Sequence, residues 1–410
     1  MKRQWVSVGM AVVLGLSAFA AQADGIFSPR DLGTAKALNS DLSFRSLAES
    51  PATASMEVVN ANAAAVTRKT ATLDFNLAPG LNLRAHRVSS YNMESGSLVW
   101  AGVIEDPGTV SNSPDFQFDA INSVMMVRDG DQLTGNLHFD GQWYQIRPLR
   151  SGGHAIVAVD QSRMPADHPA EYASLPTFKM PIKPAQAQAK ANTVIRVMVH
   201  YTSAASSASG NISSLIDLAV AESNQGYTNS GVQITLQLAT KAAVTYTESG
   251  NFTTDLSRYR GTSDGYMDSI HTTRNSVTAD VGVILINNTS YCGLASGIGS
   301  TASTAFAAVY WGCATGYYSF AHEIGHLQSA RHDPANDPTN SPYAYGHGYQ
   351  YTGSPKWRTI MAYDCSGGCP RLNYWSSPLK TYNGQPMGTT TRHDNARVLN
   401  NTRATVAAFR

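Results

Sequence analysis

His322-Glu323-Ile324-Gly325-His326-Leu327-Gln328-Ser329-Ala330-Arg331-His332 is the stretch on which the reading of this 410-residue chain turns. On an α-helix, advancing about 100° per residue, His322 and His326 stand roughly 40° apart on one face, while Phe320, Ile324 and Leu327 gather on the other. One stripe can enter a core and the other can face a cleft. Two imidazoles one turn apart suit a single divalent ion, and Zn2+ takes neutral nitrogen donors in a tetrahedral site. His332 supplies a third ligand if the helix stops near Ser329 and the chain turns back. Three neutral ligands leave the ion its full charge and one position for water, whose pKa falls to roughly 7. Glu323 is placed to take that water's proton and pass it to a leaving amine, so the expected chemistry is hydrolysis of a peptide bond. A purely structural zinc would more usually close its fourth position and has no use for the carboxylate.

Upstream, residues 194–201 alternate as a strand, and 212–224 repeat apolar residues at helical spacing after the capping candidate Asn211. Residues 232–238 alternate again, 266–274 suggest a helix, and 281–286 form a continuous apolar strand. Strands interleaved with helices imply an α/β sheet covered by helices over 191–410. Residues 24–175 read differently: short, partly alternating stretches at 73–77, 97–104, 125–127, 135–146 and 154–159, broken by Gly, Asp and Pro, point to a β-rich region. Between the two, 176–191, with Pro176, Pro181, Pro184 and an Ala/Gln-rich run, is expected to be an exposed linker.

Composition sets the context. Lys+Arg 30 against Asp+Glu 29 gives a net charge of +1, which argues against a strongly basic nucleic-acid binder and an acidic disordered tail. Lys2 and Arg3, the apolar run 6–21 and the small-x-small pattern Ala21-Gln22-Ala23 make 1–23 an export signal peptide; the run is short for a membrane span, and no second one follows. A secreted protein, extracellular or periplasmic, with no membrane attachment in its mature form is expected. The four cysteines allow three connectivities; Cys292 with Cys313 and Cys365 with Cys369 is preferred, because the latter pair brackets the turn-prone Ser366-Gly367-Gly368. No calcium-binding repeat is evident, and a calcium requirement is left open.

The run 322–333 resembles the extended zinc signature of the metzincin metalloproteases, and Thr359-Ile360-Met361-Ala362-Tyr363 is similar to their Met-turn. Within that clan the opening strand, Cys292-Gly293-Leu294-Ala295 and the tail from Cys365 look like reprolysin-like bacterial enzymes, most like peptidyl-Asp metalloendopeptidases. The resemblance implies an α/β (α+β) catalytic domain over 191–410, with a twisted mixed sheet, a long zinc-binding helix and one catalytic Zn2+ on His322, His326 and His332. It also implies Glu323 as general base and a monomer acting on proteins or peptides. Tyr363 is a candidate for contact with the metal or the oxyanion, against a plain core tyrosine. The clan normally has glycine where Ser329 stands, because that turn wants a positive φ that a Cβ disfavours by about 1–2 kcal/mol.

Further expectations stand beside the resemblance, some implied by it and some read from single residues. Residues 304–310 are the candidate edge strand for an extended substrate. Arg371 and Lys380 are candidates to receive an acidic side chain, with surface solvation the blander role for either. The region 24–190 is read as a propeptide and inhibitor. It lacks cysteine, so latency falls to steric cover or to a ligand such as Asp167 or His168. A permanent β domain for substrate or cell wall is the competing role. Asp333 is expected to orient the turn or His332, His347 to be a loop residue, His200 to pack at its strand end and His393 to lie at the surface. The competing function is a catalytically silent, zinc-containing adhesion or toxin-like binding module.

Overall fold

The computed structural model describes residues 25–30, 35–105, 119, 121–180 and 192–410. The expected signal over 1–23 and the greater part of the linker, 181–191, lie outside the described residues.

The N-terminal region is a nine-stranded antiparallel sheet. Its strands are β1 (Phe27–Pro29), β2 (Thr53–Ala61), β3 (Thr72–Ala78), β4 (Leu81–Asn92), β5 (Leu98–Ile104), β6 (Ser123–Asp129), β7 (Gln132–Phe139), β8 (Gln142–Pro148) and β9 (His154–Val159). They lie in the order β1-β2-β9-β8-β7-β6-β5-β4-β3. The stretch 135–146, taken as one segment in the sequence, is two strands, because Asp140 (φ 49°) and Gly141 (φ 76°) form the doubly left-handed turn that reverses a tight hairpin. One apolar cluster buries Phe75, Trp100, Met126 and Leu137. Another joins Val99, Met125 and Val127 to Leu218 and Ala221 of the C-terminal region. Buried polar contacts fix the same junction: Asn136 donates to Glu222 (2.6 Å) and Arg147 to Thr315 (2.9 Å).

The C-terminal region holds a mixed five-stranded sheet of β10 (Thr193–Tyr201), β11 (Ile234–Ala243), β12 (Val281–Ile286), β13 (Gly293–Ala295) and β14 (Phe306–Tyr310). The order is β11-β10-β12-β14-β13, with β13 antiparallel to β14 and the other pairs parallel. The edge assignment for 304–310 is therefore corrected. β14 is interior and wholly buried, as an unbroken apolar run favours, and β13 is the edge beside it. A disulfide, Cys292–Cys313, ties the start of β13 to the turn after β14; Cys365–Cys369 is the second, and among the described residues no cysteine is free.

Helix Ile212–Ser230 runs past the expected 212–224. The Asn211 side chain accepts from the Ser214 amide at 3.0 Å at its start, and Gly231 (φ 70°) closes it. The helix expected over 266–274 forms only at Ile270–Ser276, because Met267 (φ 51°) interrupts the preceding turn. The histidine helix is likewise short, Ser319–Leu327, bounded by Tyr318 (φ 62°) and Ser329 (φ 77°), so the long helix is corrected to nine residues. Both of its faces are buried, because the N-terminal region covers the side that was expected to face a cleft. The linker is also redrawn. Phe178 donates to the Ile298 carbonyl (2.8 Å), the Ile298 amide to Pro176 (2.9 Å), and Met180 is buried, so 176–180 is attached rather than free. No helix among the described residues is long and apolar enough to cross a membrane.

Candidate metal centre

His322 and His326 project from the helix, and the chain returns His332 to them through the turn at Ser329. The His332 Nε2 atom lies 3.1 Å from Nε2 of His322 and 3.0 Å from Nε2 of His326. Each helical imidazole is held from behind. His322 Nδ1 meets the Ile360 carbonyl (2.8 Å) and His326 Nδ1 the Ala330 carbonyl (2.9 Å), which places their N–H protons at Nδ1 and leaves the Nε2 lone pairs facing one another. Burial drives His326 down to about 4 and His322 and His332 well below the ordinary range, so all three are neutral donors at pH 7.

A fourth imidazole, His168, comes from the N-terminal region. Possible donor atoms of His168, His322, His326 and His332 all lie within 4.8 Å of one another, and all four residues are buried. Donors held about 2.0–2.1 Å from Zn2+ at tetrahedral vertices stand about 3.4 Å apart. The observed 3.0–3.1 Å is within a few tenths of that spacing. The Nε2 lone pairs of His322 and His326 and the Nε2 atom of His332 converge on one point, and such a set of neutral imidazole nitrogens fits zinc.

Glu323 lies beside the cluster, its Oε1 3.0 Å from His168 Nε2. Burial, with the Asp167 charge adding and His326 and Arg371 opposing, pushes its carboxyl up to about 8; a bound cation would act in the opposite sense. Room for this carboxylate depends on Gly293 of β13, where a Cβ would sit 2.2 Å from Glu323 Oε1. Tyr363 places its hydroxyl 3.1 Å from His168 Nδ1 and its ring centroid 4.3 Å from that of His332. Tyr172, also N-terminal, stacks on His332 at 4.1 Å and donates to Asp337.

The remaining sequence candidates separate. Asp333 accepts from the Tyr363 amide (3.0 Å) and from Asn336, so it braces the turn at Met361 rather than His332. His347 stands outside the cluster; it is buried and its Nδ1 meets the His332 carbonyl at 2.8 Å. His200 pairs with Tyr259 at its strand end, and the half-buried His393 pairs with Thr389. Lys380 lies half-exposed on strand Ser377–Tyr382. Arg371 departs from the expectation of surface solvation: it is buried and paired with Asp167 at 2.7 Å. Arg358, Tyr172 and Tyr317 were not singled out in the sequence. One signal was readable at the segment itself, since His168 precedes Pro169, a position biased to extended backbone able to lie along a sheet edge.

Residues 191–376 match the profile of Reprolysin_5, Metallo-peptidase family M12, which defines this half of the chain as a metallopeptidase domain. The relatives are closer still. A peptidyl-Asp metalloendopeptidase of Stenotrophomonas maltophilia is 56% identical over 98% of this chain and 99% of its own length. One from Xanthomonas campestris pv. campestris is 55% identical over 90% and 89%. Another, from Pseudomonas fragi, is 52% identical over its whole length and 46% of this chain. The chain therefore belongs to the peptidyl-Asp metalloendopeptidases and is a metalloendopeptidase. A solved metalloproteinase from Bacteroides fragilis overlaps 64% of this chain and 81% of its own at 14% identity and a TM-score of 0.40, too distant to add to this.

Proposed function

We propose that the chain is a secreted zinc endopeptidase made as a precursor. The signal is 1–23, 24–190 is an inhibitory propeptide and 191–410 is the catalytic domain. His322, His326 and His332 hold the ion, which when bound supplies Lewis-acid polarisation of the scissile carbonyl and acidifies water. Glu323 accepts the proton of the attacking water and returns it to the leaving nitrogen. Tyr363, whose hydroxyl already reaches His168 at the centre, contacts the developing oxyanion. The relatives' name supports a preference for peptide bonds at aspartate. The observation that carries the reading is the approach of His332 Nε2 to within 3.0–3.1 Å of the Nε2 atoms of both His322 and His326, beside the Glu323 carboxylate.

Latency follows from the fourth imidazole. His168 stands where substrate and water must enter, hydrogen-bonded to both Glu323 and Tyr363, so the groups that would do the chemistry are engaged by the chain itself. The deciding experiment compares casein hydrolysis by purified, processed protein with and without a chelator, alongside Glu323→Ala, with zinc measured by elemental analysis. Hydrolysis lost with the chelator and in the variant, with about one zinc per chain, is expected. A folded protein without zinc, or hydrolysis unchanged in every sample, refutes it.

A further inference from the structure

Immediately before His168 the chain carries Asp167, and its carboxylate enters a pocket with two buried guanidiniums. Oδ2 of Asp167 lies 2.7 Å from Arg371 Nη2 and 3.9 Å from Arg358 Nη1. The arginine side chains are 1% and 0% exposed. They are brought together by a parallel bridge between the two residues and by the Tyr317 ring, over which Arg371 and Arg358 lie at 4.2 and 5.3 Å from the centroid. Their other hydrogen-bond partners are neutral: the carbonyls of Tyr317, Ala362 and Cys369 and the Tyr317 hydroxyl.

The balance of charge is uneven. Among the described residues Arg371 has no carboxylate but Asp167 within 4.0 Å, and Arg358 otherwise has only Asp364, 3.7 Å away and 38% exposed. A buried guanidinium whose anion is removed is left strongly destabilised. Once the N-terminal segment departs, the pocket demands another carboxylate. The backbone around Asp167 is fixed as a substrate's would be, since the Gly293 amide of the edge strand β13 donates to the Asp167 carbonyl (3.1 Å) and the Cys292 amide to that of Ala166 (2.9 Å).

We propose that Arg358 and Arg371 form the subsite that receives the acidic side chain of the substrate residue adjoining the cleaved bond, and that Asp167 occupies this subsite in the intact chain. The proposal deepens the protease reading above and rests on it. Consecutive Cα atoms are about 3.8 Å apart, so a residue whose neighbour lies at the histidine cluster has its own side chain one position from the reacting bond. The pocket also measures length. With the Asp167 carbonyl pinned to β13 and its carboxylate in 2.7 Å contact with Arg371, the extra methylene of glutamate has to be absorbed by displacement of the backbone or of a packed guanidinium. Aspartate is favoured over glutamate, and both over asparagine.

The test uses enzyme processed from the full-length chain and peptides identical except for Asp, Glu or Asn next to the cleaved bond. In the unsubstituted enzyme kcat/KM falls in the order Asp, Glu, Asn. Arg371→Gln lowers the Asp-to-Asn ratio by at least about tenfold, and Arg371→Lys restores part of it. An unchanged ratio in Arg371→Gln overturns the assignment. Should that variant not fold, the unsubstituted enzyme answers through inhibition by the synthetic peptide 163–172. Its Asp167→Asn form is expected to inhibit at least about tenfold more weakly, and equal inhibition overturns the proposal. Cleavage indifferent to Asp against Asn refutes this inference and the aspartate preference while the zinc-endopeptidase reading stands, whereas cleavage of none of the peptides removes the protease reading and this inference with it.

Discussion

Replacing His168 by alanine in the uncleaved full-length chain is expected to switch on hydrolysis without processing. Two hydrogen bonds are lost, to Glu323 at 3.0 Å and Tyr363 at 3.1 Å, together with ring packing against His322, His326, His332 and Tyr172 at centroid separations of 4.6–5.0 Å. At about 1 kcal/mol per hydrogen bond and roughly 1–2 kcal/mol for the ring contacts, the covering segment is loosened by about 3–4 kcal/mol. That raises the ratio of uncovered to covered sites by roughly 10²–10³. The N-terminal sheet stays attached through Asn136, Thr134 and Arg147, so the effect is local. The assay is hydrolysis of a quenched fluorescent peptide bearing aspartate, with a gel at each time point showing that the chain is intact. An intact His168→Ala chain as silent as the unsubstituted one, with normal zinc content, would refute the claim that this imidazole enforces latency.

Three other outcomes are expected. Glu222, buried at the junction of the two regions, is raised by desolvation to about 7 from an ordinary 4.5 despite its bonds from Asn136 and Gly316. The native state keeps a proton that the unfolded chain releases near 4.5, so full-length stability declines by about 3 kcal/mol as pH rises from 4.5 to 7 and is flat in this respect on either side. Denaturant melts of Glu222→Gln should lack that slope; an identical slope in the variant removes the assignment. Ser329→Gly relieves a Cβ at φ 77°, adding about 1 kcal/mol and raising the melting midpoint by about 2–4 °C, whereas a lower midpoint contradicts the strain argument. Gly293→Ala, whose Cβ would meet Glu323 Oε1 at 2.2 Å, should leave zinc content unchanged while kcat drops at least about a hundredfold; full turnover would show that the carboxylate can move aside.

The parts of the molecule legible in its sequence were those set by local geometry. The i, i+4 spacing of His322 and His326, the demand for a left-handed residue at Ser329 and the apolar runs at 194–201 and 281–286 each declare themselves within a few residues. What escaped depends on long-range register. Whether β14 is an edge is decided by β13 pairing on its far side; the unbroken apolar run Phe306–Tyr310 is consistent with an interior strand, but the three-residue β13 gives no local sign of that pairing. Arg358 and Arg371 become one pocket through an isolated bridge between two residues thirteen positions apart, and in isolation each looks like a solvated cation. Between Asp167 and His168 the choice of which meets the histidines turns on how the segment lies along β13, a property of both regions together.

The strip of backbone running past Tyr291 to Ile298 is already hydrogen-bonded by the chain's own residues 166–167 and 176–178. Such pairing keeps amides from adhering to any extended polypeptide they encounter, including a second copy. On the proposed precursor reading, baring that strip would expose amides able to hold a peptide for cutting and, by the same chemistry, to hold a second copy of the enzyme. Under that proposal, keeping the chain intact would shield the molecule from its siblings as much as its surroundings from the molecule.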